Sequence, residues 1–222
     1  MEFIVRQTSY NELLTYLMIG SIAIITCIKL IYNIQFNDFL GTLTNGKYFL
    51  LHNKSDKKKN LFNQLFYVFF AINLTVFSYT VVTSLDLFVS KNSYTLILCA
   101  IFINIYFISK YLIEKILFEV LDLEFVFDTL NFQRSTFINF IGILLLLINL
   151  STLYIATSLS DIFIYCCLGI LFLTYVFSVI VIVINNQNVF LKHWFYFILY
   201  LCALEISPFL IGGVLILTNV LK

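Results

Sequence analysis

The chain is poor in charge. Only 11% of its 222 residues are Asp, Glu, Lys or Arg, whereas an ordinary soluble domain has about 25%. A chain this poor in charge cannot present a mostly polar surface to water. Its net charge of +1 provides no global field for nucleic acid. Histidine is scarce too: His52 and His193 lie far apart, near the ends of apolar runs, and make a poor pair for metal or haem. Proline occurs once, at position 208. There is no H-E-x-x-H, no G-x-S-x-G and no Walker loop, so no enzymatic motif is present. No catalytic set, metal site or cofactor is expected.

What fills the chain instead is apolar: 61% hydrophobic and 18% aromatic residues. A spanning helix needs about 20 predominantly apolar residues, and six segments qualify: Leu13 to Tyr32, Leu61 to Leu85, Tyr94 to Lys115, Phe137 to Thr157, Ile162 to Ile184 and Trp194 to Leu217. The runs are continuous rather than alternating, and much longer than the strands of a membrane barrel. The sequence therefore predicts an all-α bundle of six transmembrane helices in a single integral-membrane domain, residues 1–222. The five cysteines, 27, 99, 166, 167 and 202, all lie in apolar runs without a C-x-x-C pair. They read as small buried hydrophobes. The amino terminus has Glu2 and Glu12 where a secretory signal would place basic residues, so no cleaved signal is expected.

Orientation follows from the basic residues. Lys29, Lys47, Lys54, Lys57, Lys58, Lys59, Lys110, Lys115, Arg134 and Lys192 flank the connections after spans one, three and five. Only Arg6, Lys91 and Lys222 lie on the other side. That bias puts those connections in the cytoplasm and both termini outside. The first inner connection, Phe36 to Asn60, carries five lysines against Asp38 and Asp56. Its run Lys54 to Asn60 suits an anchor at anionic lipid. The second, Glu114 to Arg134, carries Glu114, Glu119, Asp122, Glu124 and Asp128 against Lys115 and Arg134, with no glycine or proline. It reads as an acidic juxtamembrane amphipathic helix after the third span. The opposite charges suggest that the two connections pair, or dock a partner, through Lys54, Lys57, Lys58 and Lys59 and through Glu119, Asp122, Glu124 and Asp128. The same acids are candidates to hold a divalent metal, although a solvated acidic face explains them more simply.

One acid lies deep in a span. Glu205 is 11 residues beyond Trp194, about 16 Å along a helix and close to the middle of a ~30 Å core. Pro208 has no N–H to give and its ring opens the helix beside the acid, where Ser207 is placed to satisfy the freed carbonyl. An ionisable group at that depth is a functional candidate by default. Polar groups available to it include Asn73, Asn104 and Asn149. Lys29 and Lys110, about 6 Å inside the cytoplasmic boundary, either turn inward toward it or snorkel to water. A purely structural role as a neutral or paired packing acid stands beside a coupling role.

The stretches Asn45 to Phe66, Glu119 to Leu150 and His193 to Gly212, and above all Leu-Glu-Ile-Ser-Pro at 204–208, resemble a Bacteroidota membrane-protein family known as domain of unknown function 4271. The resemblance implies a multi-pass protein of the bacterial inner membrane and carries no activity onto any residue. The functional expectation is a non-enzymatic membrane subunit or accessory protein of a cell-envelope complex. Its partners would be the lipid bilayer and other membrane proteins or further copies of itself, with no nucleic acid. A small proton- or ion-coupled transporter using Glu205 is the alternative, and a lipid-modifying membrane enzyme is a third.

Overall fold

The structure, a computed structural model, describes residues 8–41, 57–84, 93–120, 124–155 and 161–186. Those residues form six α-helices: α1 (Thr8–Ile31), α2 (Asn33–Gly41), α3 (Lys57–Ser84), α4 (Ser93–Val120), α5 (Glu124–Leu150) and α6 (Asp161–Asn185). A single π-helical turn, Ser151–Ile155, extends α5. Five of the helices are long and apolar enough to cross a membrane, over Glu12–Ile31, Leu61–Ser84, Tyr94–Val120, Phe127–Leu153 and Ile162–Asn185. They correspond to the first five expected spans. The sixth, Trp194 to Leu217, lies outside the described residues.

The helices surround α3. Over 18 residues of its apolar stretch 44% are buried, against none over 18 residues of that of α4, so α3 is the central helix and α4 a peripheral one. Its sequence explains this, because it carries large side chains on two faces. Phe62, Phe66, Phe69, Val76 and Tyr79 meet Leu14, Met18 and Ile28 of α1 and Leu146 of α5. Phe70 and Phe77 meet Leu145 and Ile148 of α5 and Cys167 of α6. The spacing within each set follows the 3.6-residue helical period. Between the two sets, Gly142 of α5 lies against α3: a Cβ there would stand 3.4 Å from the Phe69 ring and from Phe70 Cβ. Small residues permit such close helix approach, and in lipid van der Waals packing of this kind drives association.

α2 falls in what the sequence assigns to the first connection. Its nine residues are too few and too polar for a span. Phe36 and Phe39, three apart on one face, are both buried. Their rings lie 6.2 and 5.3 Å from that of Phe66, and Phe62 lies 4.9 Å from Phe66. Ring pairs at these separations add to simple burial. The bend at Tyr32 keeps its hydrogen bonds, since Tyr32 N donates to Ile28 O and Phe36 N to Tyr32 O, both at 2.9 Å. Aromatic docking onto α3 makes a helix where composition suggests only a connection.

The described part of the second connection also differs from expectation. α4 runs to Val120 and α5 starts at Glu124, so the third span does not end at Lys115 and the fourth begins ahead of Phe137. Among the described residues there is no separate juxtamembrane helix. Glu114 and Glu119 belong to the last turns of α4, and Asp128 to the first turns of α5. Polar residues that look like a boundary are carried within continuous helices. The cysteines need correction as well: Cys167 is buried, but Cys27 and Cys166 are exposed and Cys99 is intermediate. Adjacent positions on a helix are about 100° apart, so Cys166 and Cys167 cannot share an inward face.

The contact at Gly142 yields a graded expectation. Gly142→Ala places a methyl at ordinary contact distance and should be tolerated. Gly142→Leu must push α5 from α3 and should cost about 1–3 kcal/mol, read as a lower unfolding midpoint of the purified protein in detergent. Equal midpoints for the alanine and leucine variants would show that the contact does not govern packing.

Candidate functional site

Two groups of polar residues are drawn into the bundle. The first lies midway along α3. Asn73, twelve residues beyond Leu61 and eleven before Ser84, is 0% exposed, as is Asn149 of α5. Asn149 Nδ2 donates to the backbone oxygen of Asn73 at 2.8 Å. Asn73 Nδ2 donates to Phe69 O, one turn back on its own helix, at 2.9 Å. Both Oδ1 atoms are buried, and neither has a hydrogen-bond partner among the described residues. Of the three asparagines picked out in the sequence, the structure brings these two together.

Asn104 does not join them. It bonds back to Ala100 O at 2.8 Å and meets the Tyr67 hydroxyl of α3 at 3.5 Å. Most other mid-helix hydroxyls are satisfied locally. Ser21, Thr75, Thr174 and Ser178 each donate to a backbone oxygen three or four residues back, a common way to shelter a hydroxyl within a helix. Next to Asn149, Ser151 Oγ donates to Ile148 O at 2.7 Å and Thr152 Oγ1 to Asn149 O at 3.0 Å, where the π turn begins. Such turns interrupt the regular ladder and are frequent at functional sites.

The second group lies where α4 ends and α5 begins. The Glu114 side chain is 2% exposed and accepts a hydrogen bond from the Arg134 guanidinium across the hairpin. Lys110, one turn earlier on α4, places Nζ 3.9 Å from Glu114 Oε1. A buried carboxylate is tolerated when it is paired and hydrogen-bonded, and here two cations stand beside it. Directly before Arg134, Gln133 is buried and accepts from Asn186 Nδ2 at 2.6 Å. The start of α5 is thus tied to both α4 and the end of α6. The Phe127 ring, 5.8 Å from Tyr111 and 5.7 Å from Phe118, packs the tip of the same hairpin.

Sequence reasoning counted Glu114 only as part of an acidic stretch. One signal was available: Lys110 and Glu114 are i, i+4 neighbours. Arg134 was not recognisable as the third member, because its place depends on how the hairpin closes. Glu119 resembles Glu114 in sequence but points outward, pairing with Lys115 at 3.6 Å with both side chains about half exposed. Such a pair contributes little. Asp128 and Lys29 are exposed. Lys110 faces Glu114, and Glu205, one of the two directions the sequence left open for it, lies outside the described residues along with Ser207, Pro208, Lys54 and Asp122. Lys57, Lys58, Lys59 and Glu124 sit at helix starts, with their side chains likewise outside the description. Among the described residues, no three His, Cys, Asp or Glu side chains gather as metal ligands.

Chemically, the Glu114–Arg134–Lys110 group clamps helix ends together. Glu114→Leu removes the buried carboxylate that both cations face and should destabilise by about 3–5 kcal/mol. Arg134→Leu should cost less, because Lys110 still faces the carboxylate. Replacing both Glu114 and Arg134 by leucine should recover part of the loss caused by Glu114→Leu alone. Chemical denaturation of the three variants in micelles checks this ordering, and a larger loss for Arg134→Leu than for Glu114→Leu would contradict it.

Comparison with known proteins gives no match among curated proteins or solved structures. A family model does match, over residues 14–216, a stretch that begins in α1 and takes in nearly all of the sixth apolar segment. The chain belongs to the family described as Domain of unknown function (DUF4271).

Proposed function

We propose that the chain is a non-enzymatic subunit or accessory protein of a bacterial cell-envelope complex, seated in the inner membrane with its basic end in the cytoplasm and both termini outside. The observation that carries this reading is α4. Between Thr95 and Glu114 no residue of α4 is buried, and Ile101, Phe102, Ile105 and Ile108 run exposed along it. A helix that leaves such an apolar face uncovered by its own bundle is available to lipid and to other membrane proteins. The buried polar contacts of the described residues are also used between and within helices, as expected of a packing scaffold. At the basic end, the lysines at 54 and 57–59 and the acids at 119, 122, 124 and 128 would serve as the docking charges, with each other or with a partner. The acidic connection would lie close to the membrane surface.

A second reading, a small proton- or ion-coupled transporter using Glu205, is favoured by one observation: two buried amide oxygens left without a partner among the described residues. The two readings separate by experiment. Photo-crosslinking from Phe102 in the native host, followed by affinity purification, should capture defined membrane proteins in fixed stoichiometry. Recovery of the chain alone, crosslinked only to lipid, would contradict the subunit reading. Glu205→Gln should leave the complex intact if the acid is structural. Loss of function in a complex that still assembles would support the transporter.

A further inference from the structure

We propose that Asn73 and Asn149 form a site inside the bundle that takes up an uncharged hydrogen-bond donor. The orientation of both amides is fixed by their neighbours. Each NH2 group faces a backbone carbonyl, Asn149 that of Asn73 and Asn73 that of Phe69. Turning either amide over would set oxygen against oxygen. Each Oδ1 is therefore an acceptor, and each is buried without a partner among the described residues. Two such atoms in a single contact are unusual, because more than about 90% of buried polar groups are hydrogen-bonded.

The chemistry of the site narrows what enters it. Amide oxygens only accept, so the occupant must donate. Among the described residues, α3 carries no charged side chain from Leu61 to Ser84, α5 none after Arg134, and α6 none from Ile162 to Asn185. Held by these described residues alone, a cation would have no counter-charge, and a bare charge in a low-dielectric interior is disfavoured. A neutral O–H or N–H donor fits. The π turn that follows Asn149 supplies a local break in helix regularity beside it. Two sources share this chemistry: a buried water, which commonly bridges otherwise unfilled polar groups, and the carboxyl of Glu205 in its protonated form. The inference holds under either functional reading.

The test is an experimental structure of the full chain in lipid nanodiscs, at a resolution that shows ordered water, for the wild type and for Glu205→Leu. The expected result is a donor about 2.7–3.2 Å from at least one of the two amide oxygens. Water as the source predicts a solvent feature that survives Glu205→Leu. The acid as the source predicts the Glu205 carboxyl itself at that distance. It also predicts an infrared band of a protonated carboxyl that disappears in Glu205→Leu. The wild-type map is decisive even if the variant does not accumulate. Both oxygens packed only against carbon atoms would overturn the proposal.

Discussion

The close approach of α3 and α5 positions the rest of the described bundle. Gly142 lets α5 settle on the Phe69 and Phe70 side of α3, and the bond from Asn149 to the Asn73 backbone fixes the register of the two helices. A contact of this kind combines what association in a bilayer can draw on: dense packing without a hydrophobic driving force, and a hydrogen bond sheltered from water. α1 and α2 then cover one aromatic face of α3, and α6 packs on α5 where Cys167 meets Leu145 and Ile148.

The same contact connects the two polar groups. α5 carries Asn149 toward one end of its length and Gln133 and Arg134 toward the other. Its rotation about α3 therefore determines where all three point. At the Arg134 end, Arg134 and Lys110 both face the buried Glu114 carboxylate. At the Asn149 end, neutral amides meet and leave two acceptors over.

Local features were legible without coordinates. The first five apolar runs became helices, because run length and continuity report directly on what can cross about 30 Å of hydrocarbon. Asn73 and Asn149 stood out as polar residues in apolar runs, and they are paired in the structure. Less local features were not legible. α2 exists because Phe36 and Phe39 find Phe66, an attraction that no window over Asn33–Gly41 contains. The acidic stretch after α4 looked uniform, yet Glu114 turns inward and Glu119 outward, five residues and about 140° further round the helix.

The sequence by itself determined that the chain is a set of apolar helices long enough to span a membrane, and to which family it belongs. Both are properties of residues in order along the chain. Only the tertiary structure decided which helix is central, which carboxylate is buried and which asparagines meet. The reason is physical: a side chain in a helix acquires its partners from the rotation of that helix and from neighbours far along the chain, as Asn149 lies 76 positions from Asn73.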